Sequence, residues 1–228
     1  MSVRELTFDD APPEQSAATR PYRATEGLVD RLSIIFFQLD KEGRPDLTRP
    51  RVQAARTQYH TSLGTVLSRK GEEGADEEVW QQFEAPRERY ATLVVKYPTD
   101  PSGKVLHEPT GIVILPWDFG EPTYRRLHEL AIQQRPLGRN LGSIDLKVEC
   151  SNSRKQYVKV SVAGQAIWRM KPEAQEKFLG RAIPLYDSVR IGRDIPESEL
   201  RRLLGLSTVS PSVASDTVDF DDDLLNQV

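Results

Sequence analysis

The chain has 228 residues, with 38% hydrophobic and 29% charged side chains. This length suits one sizeable domain with extensions, or one domain with a small second unit, and the composition is typical of a soluble globular protein with flexible segments. No apolar run approaches the ~18 residues that a membrane-spanning helix needs. The first residues lack the apolar stretch of a secretory signal, and the single cysteine, Cys150, excludes an internal disulfide, so we expect a reducing, cytoplasmic environment.

Charge is distributed unevenly along the chain, although the net charge is only −3. Residues 203–228 contain five aspartates and no lysine or arginine, and residues 1–84 carry a net charge of −4. Residues 85–202 contain 20 basic and 14 acidic side chains. A basic central part with an acidic end predicts an interaction with a polyanion, or with the protein's own acidic end.

The N-terminal third combines a polar segment with an apolar one. Residues 1–27 are polar, contain three prolines and predict an N-terminal arm. Residues 28–40 hold the most apolar run of the chain, which is rich in β-branched and aromatic side chains and predicts a buried strand. In residues 52–66 the apolar side chains lie near helical spacing and predict a helix, which Gly64 weakens towards its end.

A denser β pattern occupies the middle of the chain. Strands are predicted at 89–100 and 108–117 with a turn between them, and a short amphipathic helix at 121–134 follows. Two further strands, 143–151 and 155–164, alternate between apolar and polar residues and are joined by a link of hairpin size. This succession predicts two antiparallel pairs with a helix inserted between them.

These elements predict a β-rich α+β fold in which residues 28–206 form one domain. Segment 183–192 is a candidate for a further strand, and 196–206 is predicted to be a short helix. Four or five antiparallel strands with one inserted helix suit an OB-like antiparallel barrel with short helices, although a mixed α+β sandwich would give the same pattern. Residues 207–228 are predicted to be a flexible linker followed by an acidic protein-interaction tail.

The sequence contains no motif of an enzyme site. His60, His107 and His128 lie at no zinc-ligand spacing to one another or to Cys150. It has no glycine-rich phosphate-binding loop and no nucleophile elbow. The aspartates of the tail lack the fixed geometry that metal catalysis needs. We therefore expect a non-catalytic protein with no cofactor and no bound metal.

Basic and aromatic side chains recur together in the central β region. Single-stranded nucleic acid is bound by basic grooves that follow the phosphates and by aromatic rings on which the bases stack. Each such residue taken alone is better explained by core packing or by an ordinary solvated surface, so it is the cluster that indicates binding. The candidate nucleic-acid-binding residues are Arg89, Lys96, Tyr97, Trp117, Arg154, Lys155, Tyr157, Lys159, Trp168 and Arg169.

The acidic tail interleaves aspartates with apolar side chains, which a simple spacer would not need. Such a segment can lie in the basic groove of its own domain, or it can offer its apolar side chains to a hydrophobic pocket with a basic rim on another protein. A solubilising terminus is the alternative interpretation. The candidate partner-binding residues are Asp219, Phe220, Asp221, Asp222, Asp223, Leu224 and Leu225.

The segment VDFDDDLLNQV, residues 218–228, resembles the acidic C-terminal tip of bacterial and phage single-stranded DNA-binding proteins. Proteins of that group carry an OB domain, a linker and an aspartate-rich end that contains phenylalanine. The resemblance implies that the tip recruits replication and repair proteins and imitates DNA in the binding groove. The chain departs from the bacterial pattern, in which the tip ends in proline and phenylalanine and the barrel begins almost at the N-terminus. These departures favour a phage protein or another divergent member.

We therefore hypothesise a single-stranded DNA-binding protein of the cytoplasm of a bacterium or of a phage-infected host cell. It would coat single-stranded DNA without strong sequence preference and recruit replication or recombination proteins through its tail. Bases would stack on Tyr97, Trp117, Tyr157 and Trp168. The hypothesis requires a shared channel for five cations, which are Lys96, Arg154, Lys155, Lys159 and Arg169.

The alternative is a phage structural or assembly protein, a virion or scaffold component whose N-terminal arm and acidic tail dock on neighbouring subunits. Preferential retention on single-stranded rather than double-stranded DNA-cellulose in a salt gradient would favour the DNA-binding hypothesis over it. The sequence leaves open the oligomeric state, including self-association, and the choice between DNA and RNA.

Deletion of residues 214–228 should tighten DNA binding at low salt and abolish recruitment of partner proteins, because it removes five negative charges and the apolar side chains among them. The measurement is a fluorescence titration of a labelled oligonucleotide at two salt concentrations, with a pull-down of partners. Unchanged DNA affinity together with normal partner binding would contradict both roles of the tail.

Overall fold

The computed structural model describes residues 21–106, 111–154 and 156–206. These ranges contain nine strands, four α-helices and several short 3₁₀ turns. The strands are β1 Val29–Ile34, β2 Phe37–Leu39, β3 Pro45–Pro50, β4 Gln53–His60, β5 Gly64–Leu67, β6 Arg87–Tyr97, β7 Val113–Gly120, β8 Ile144–Asn152 and β9 Tyr157–Gln165. The helices are α1 Glu77–Gln81, α2 Glu121–Gln134, α3 Pro172–Ala182 and α4 Glu197–Leu203.

Seven of the strands form one sheet around the long strand β6, and β2 and β3 form a separate two-stranded sheet. One edge of β6 pairs with β7. Its other edge is shared, because β4 pairs with residues 87–91 and β1 pairs with residues 94–97. Beyond β1 follow β8 and β9, and beyond β4 follows β5. All of these strand pairs are antiparallel, so the sheet branches at the middle of β6.

The predicted β-rich α+β fold with a mainly antiparallel sheet and short helices is confirmed, but the described strands do not close into a barrel. Strands β7 and β9 are not paired with each other among the described residues. Helix α2, which follows β7 directly, packs against β6, β7 and β9. A groove remains between β7 with the start of α2 and the first residues of β9. The helix therefore covers the space between the two edge strands where a closing hydrogen-bond ladder would have formed.

Both faces of the sheet are covered by apolar layers, because β6 sends alternate side chains to opposite faces. On the α2 side, Val94 joins Trp117, Leu127 and Leu146 in the first core cluster. On the α3 side, the alternate residues of β6 join Phe36, Phe37, Trp168 and Tyr186 in the second cluster. A smaller third cluster around Trp80 connects α1, α4 and β5. Among the described residues, no helix has the length and apolar character needed to cross a membrane.

Two segments adopt structures other than those predicted. Residues 52–66, predicted as a helix, instead form most of an antiparallel hairpin made of β4 and β5. The apolar residues lie near helical spacing, but hydrogen bonds from β4 to the first half of β6 override this local pattern. The candidate strand 183–192 begins as a 3₁₀ turn over Ile183–Ser188 with proline at its start. Tyr186 fixes this turn, because its hydroxyl donates a 2.9 Å hydrogen bond to the carbonyl oxygen of Ile35.

The part of the predicted N-terminal arm that the structure describes, residues 21–27, packs on the α2 side of the sheet. Tyr22 is buried, its ring meets Trp117 edge-on, and its hydroxyl donates a 2.7 Å hydrogen bond to Asp30. Asp30 also accepts a 2.8 Å ion pair from Lys96. This segment therefore contributes to the core and carries Arg23, the residue after Tyr22, to the surface next to β7.

A fully buried carboxylate ties three strands together on the opposite side of the sheet. Asp145 of β8 accepts a hydrogen bond from Ser33 of β1 and a 2.8 Å ion pair from Arg31. The Ser33 hydroxyl lies 3.0 Å from the hydroxyl of Tyr97, which in turn accepts the backbone N–H of Trp168. Burial raises the pKa of Asp145, and its bonds to Ser33 and Arg31 oppose that shift.

Replacing Asp145 by alanine should lower the free energy of unfolding by about 3 kcal/mol or more, because Arg31 and Ser33 would lose a buried partner. Urea denaturation followed by circular dichroism measures this change. Glu149→Ala is the matched control on the same strand. Glu149 and Lys147 form a 2.8 Å ion pair, and their side chains are 41% and 40% exposed. Loss of this exposed pair should lower the free energy of unfolding far less. Equal effects of the two substitutions would rule out a structural role for the Asp145 network.

Candidate nucleic-acid interface

Two adjoining cavities, of about 720 and 910 Å³, form a continuous groove beside the first half of β6. They share the side chains of Arg87, Arg89, Asp118 and Gln156. We call this surface the arginine groove. Its cationic side chains are Arg23, Arg87, Arg89, Arg154 and Lys159.

The sheet register sets the β6 side of the groove. Arg87 and Arg89 stand two residues apart on β6, so they project from the same face of the strand. Arg89 makes a two-point contact with Asp118 of β7, with distances of 3.0 Å from Nε and 2.8 Å from Nη2. Asp118 also lies 3.9 Å from Arg23. These ion pairs hold the guanidinium groups of β6 and of the N-terminal segment side by side.

The turn between β8 and β9 forms the opposite side of the groove. Gln156 has a positive φ of 51°, an uncommon left-handed conformation for a residue with a side chain. Its side-chain amide makes two hydrogen bonds to the backbone of Ala24, accepting at 2.9 Å and donating at 3.1 Å. The backbone N–H of Ser153 donates to Glu26 at 3.3 Å. The turn is therefore fixed to the N-terminal segment, and it carries Arg154 to the groove.

Five cations and four carboxylates line the groove, so its formal charge is +1. The carboxylates are Glu84, Glu88, Asp118 and Glu121. Besides the contacts of Asp118, Glu84 pairs with Arg87 at 3.1 Å. Among the described residues, Arg154 and Lys159 make no ion pair within 4 Å, and both side chains are exposed. These two cations are therefore the most available to an incoming phosphate.

Two tyrosine rings give the groove exposed aromatic surface. Tyr157 begins β9 and is 57% exposed, and Tyr59 near the end of β4 is 44% exposed. Both line the groove, on opposite sides of the paired arginines. Exposed rings next to cations match the combination that binds a single strand through its bases and its phosphates.

Three of the four rings predicted to stack on bases lie in the core instead. Tyr97 and Trp168 are about 1% and 0% exposed on the α3 side, and Trp117 is 3% exposed on the α2 side. Burial strongly raises the pKa of the Tyr97 hydroxyl, as expected for a phenol enclosed by protein. Their positions follow from strand alternation and from the apolar layers on both faces of the sheet. Trp117 does line the arginine groove, but at 3% exposure neither it nor the other two residues offers a ring face to a base, which corrects the expectation for these three residues.

The predicted cations do not share a single channel. Arg154 and Lys159 lie in the arginine groove, and Arg89, another candidate residue, joins them there. Lys96 lies at the far end of β6, paired with Asp30 at 2.8 Å and 5.3 Å from the ring centre of Tyr22.

Arg169, the other predicted cation that the structure describes, does not line the groove. Arg169 lies on the α3 side against the ring of Trp168, and burial lowers the pKa of its guanidinium. Lys155 and the tail residues 219–225 are outside the described residues. The five-cation channel is therefore replaced by a different set of groove residues.

The predicted set lacked several residues that line the groove, among them Arg23, Tyr59, Arg87 and Gln156. Arg87 could have been found, because it stands two residues before Arg89 and shares its strand face. Arg23 and Tyr59 could not, because one was assigned to an arm and the other to a helix. Within the described ranges, no group of three or more histidine, cysteine, aspartate or glutamate side chains is arranged to hold a metal ion.

In comparisons with known proteins, no family model and no curated protein matches the chain.

The burial of all three tryptophans, Trp80, Trp117 and Trp168, predicts weak quenching of their fluorescence by acrylamide in the native protein. Quenching should rise several-fold after unfolding in urea, and saturating single-stranded DNA should leave native quenching nearly unchanged. A large decrease in acrylamide quenching when DNA is added would mean that at least one of these rings is exposed in solution and stacks on bases.

Proposed function

We propose that this protein binds single-stranded DNA in the arginine groove, without catalysis and without strong sequence preference. The observation that carries the proposal is that Arg154, Tyr157 and Lys159 from the β8–β9 hairpin and Arg87 and Arg89 from β6 line one continuous groove. Cations and an exposed ring on two sides of one groove are the elements needed to hold phosphates and bases together.

The connectivity supports an OB-like domain as the source of this groove. In chain order, β1, β6, β7, α2, β8 and β9 give five antiparallel strands with a helix between the third and the fourth. An OB domain is a five-stranded, partly open barrel that binds oligonucleotides on the face of its second and third strands and with its 1–2 and 4–5 loops. In that correspondence the second and third strands are β6 and β7, and the gap between β7 and β9 is the open part of the barrel.

The same correspondence supports the location of the groove. The β8–β9 turn, with Arg154, takes the place of the 4–5 loop. The segment from β2 to α1, which includes Tyr59, is a long insertion in the 1–2 loop. Arg87 and Arg89 stand on the second strand. The groove residues therefore lie on the elements that an OB domain uses for oligonucleotides.

A bound strand would place phosphates near Arg154 and Lys159 and near the arginines that Asp118 and Glu84 hold in position. Binding should be sensitive to salt, because each cation that neutralises a phosphate releases a counterion from the strand. Stacking on Tyr157 and Tyr59 is tolerant of sequence, because every base has an aromatic face. Under this proposal the tail residues 219–225 recruit replication or recombination proteins in the cytoplasm of a bacterium or of a phage-infected cell.

The double variant Arg87→Ala/Arg154→Ala should weaken binding of a fluorescein-labelled oligothymidylate by about tenfold or more at low salt, because two phosphate contacts are lost. The slope of log affinity against log salt should become shallower by about 1.4, at ~0.7 per contact on a single strand. Fluorescence anisotropy at several salt concentrations measures both values. Lys177→Ala, an exposed lysine on α3 outside the groove, is the control and should change neither.

Tyr157→Ala should weaken binding of the same oligonucleotide by roughly 5- to 100-fold, because it removes a stacking surface. The slope of log affinity against log salt should stay unchanged, because the substitution removes no charge. Tyr157→Phe should retain most of the affinity. The proposal fails if the arginine and tyrosine variants bind as tightly as the unaltered chain, or if double-stranded DNA of equal length binds as well as the single strand.

A further inference from the structure

A separate cavity, of about 300 Å³, lies between α2 and the segment that leads from β3 into β4. Its floor is apolar, with Ile34 of β1, Phe119 of β7 and Leu127 of α2 among its lining residues. These side chains belong to the first core cluster, which reaches the surface here. We call this site the α2 pocket.

The rim of the α2 pocket is cationic and contains no carboxylate. Arg51, Arg135 and Arg139 line it, all three are exposed, and His128 stands beside them on α2. Among the described residues none of these three arginines forms an ion pair, and Arg51 instead lies 4.9 Å from the ring centre of Phe36. Three guanidinium groups without an ion pair around an apolar cavity attract a partner of opposite charge.

The apolar floor and the cationic rim of the α2 pocket fit a peptide that carries apolar and acidic side chains within a few residues of one another. A nucleic-acid strand supplies the charge, but the lining here is more apolar than that of the arginine groove and includes no exposed tyrosine like Tyr157. A segment with Phe220 or the two leucines Leu224 and Leu225 flanked by aspartates supplies both properties. The chain contains this combination in residues 219–225, and its charge is opposite to that of the rim.

An open groove connects the end of α4 with the α2 pocket. Leu203 in α4 lines an open groove of about 1050 Å³ that runs to Arg51 and Val52, and the same two residues line the α2 pocket. Fourteen residues lead from Leu206 to Phe220, and an extended chain of that length reaches ~45 Å. The acidic segment can therefore reach the α2 pocket of its own molecule.

We propose that residues 219–225 dock in the α2 pocket of the same molecule, with an apolar side chain on the floor and the aspartates against Arg51, Arg135 and Arg139. This docking does not depend on DNA binding, because the α2 pocket and the arginine groove share no cationic side chain. It gives the acidic segment a resting site outside the arginine groove. Four aspartates held there still reduce the attraction of the domain for phosphates at low salt.

Disulfide formation in the full-length chain tests this docking. Asn226→Cys keeps every aspartate and apolar side chain of the segment, and Ala131→Cys places a thiol in the wall of the α2 pocket. A disulfide needs Cα atoms within ~7 Å, so mild oxidation should give an intramolecular bond, seen by non-reducing electrophoresis and peptide mass spectrometry. Ile132→Cys is the matched control: it follows directly on the same helix, is 50% exposed and does not line the pocket.

Charge reversal gives a second readout in the same chain. Adding Arg135→Glu and Arg139→Glu should lower the yield of the Ala131→Cys disulfide by about tenfold, because two attractive charge pairs become repulsive. Both arginines are exposed, so the fold should tolerate the changes, and thermal unfolding checks this.

Three results would overturn the assignment. One is an equal disulfide yield from the Ala131→Cys and Ile132→Cys chains, and another is a disulfide-linked dimer in place of the monomer. The third is preferential bonding of Asn226→Cys to Ser153→Cys, a position in the arginine groove, because the acidic segment would then rest where DNA is proposed to bind. Loss of DNA binding by the groove variants alone would leave the disulfide result untouched, so the two proposals fail separately.

Discussion

The pairing of β6 with three other strands is the constraint on which the cores and the groove depend. Residues 89–96 of this 11-residue strand pair with β7 along one edge, and residues 87–91 and 94–97 pair with β4 and β1 along the other. The alternate side chains of this central strand enter the two apolar layers on opposite faces of the sheet. The pairing also leaves the first residues of β6, including Arg87 and Arg89, beside the gap between β7 and β9. One continuous strand therefore supplies residues to both cores and to the groove.

Polar contacts, rather than apolar ones, determine where the groove is assembled. The segment 21–27 is held by Tyr22 in the core and by the amide of Gln156, and this fixes the β8–β9 turn against the sheet. Asp118 then aligns Arg23 and Arg89 in one place. The contacts of Gln156 and Asp118 join residues far apart in the chain, so the groove exists only when the sheet has formed.

The two cationic surfaces of the domain differ in a way that suits two different ligands. The arginine groove is long, mixes cations with carboxylates and exposes tyrosine rings, which fits an extended strand. The α2 pocket is smaller, has an apolar floor and lacks carboxylates, which fits a short acidic and apolar peptide. The chain itself carries such a peptide in residues 219–225, and for this reason the two proposals assign the polyanion and the acidic segment to separate surfaces.

The sequence by itself determined the strands of the central region, the helix between them and the separation of charge, because alternation and composition are local properties. It also identified Arg89, Arg154, Tyr157 and Lys159, which lie in the groove. Only the tertiary structure decided that β4 is a strand and that Tyr97, Trp117 and Trp168 are core residues. The reason is physical: a period of two shows that a strand has two faces, but the partner strands and helices decide which face is covered. Burial, and with it the list of residues that can touch a ligand, is therefore a long-range property.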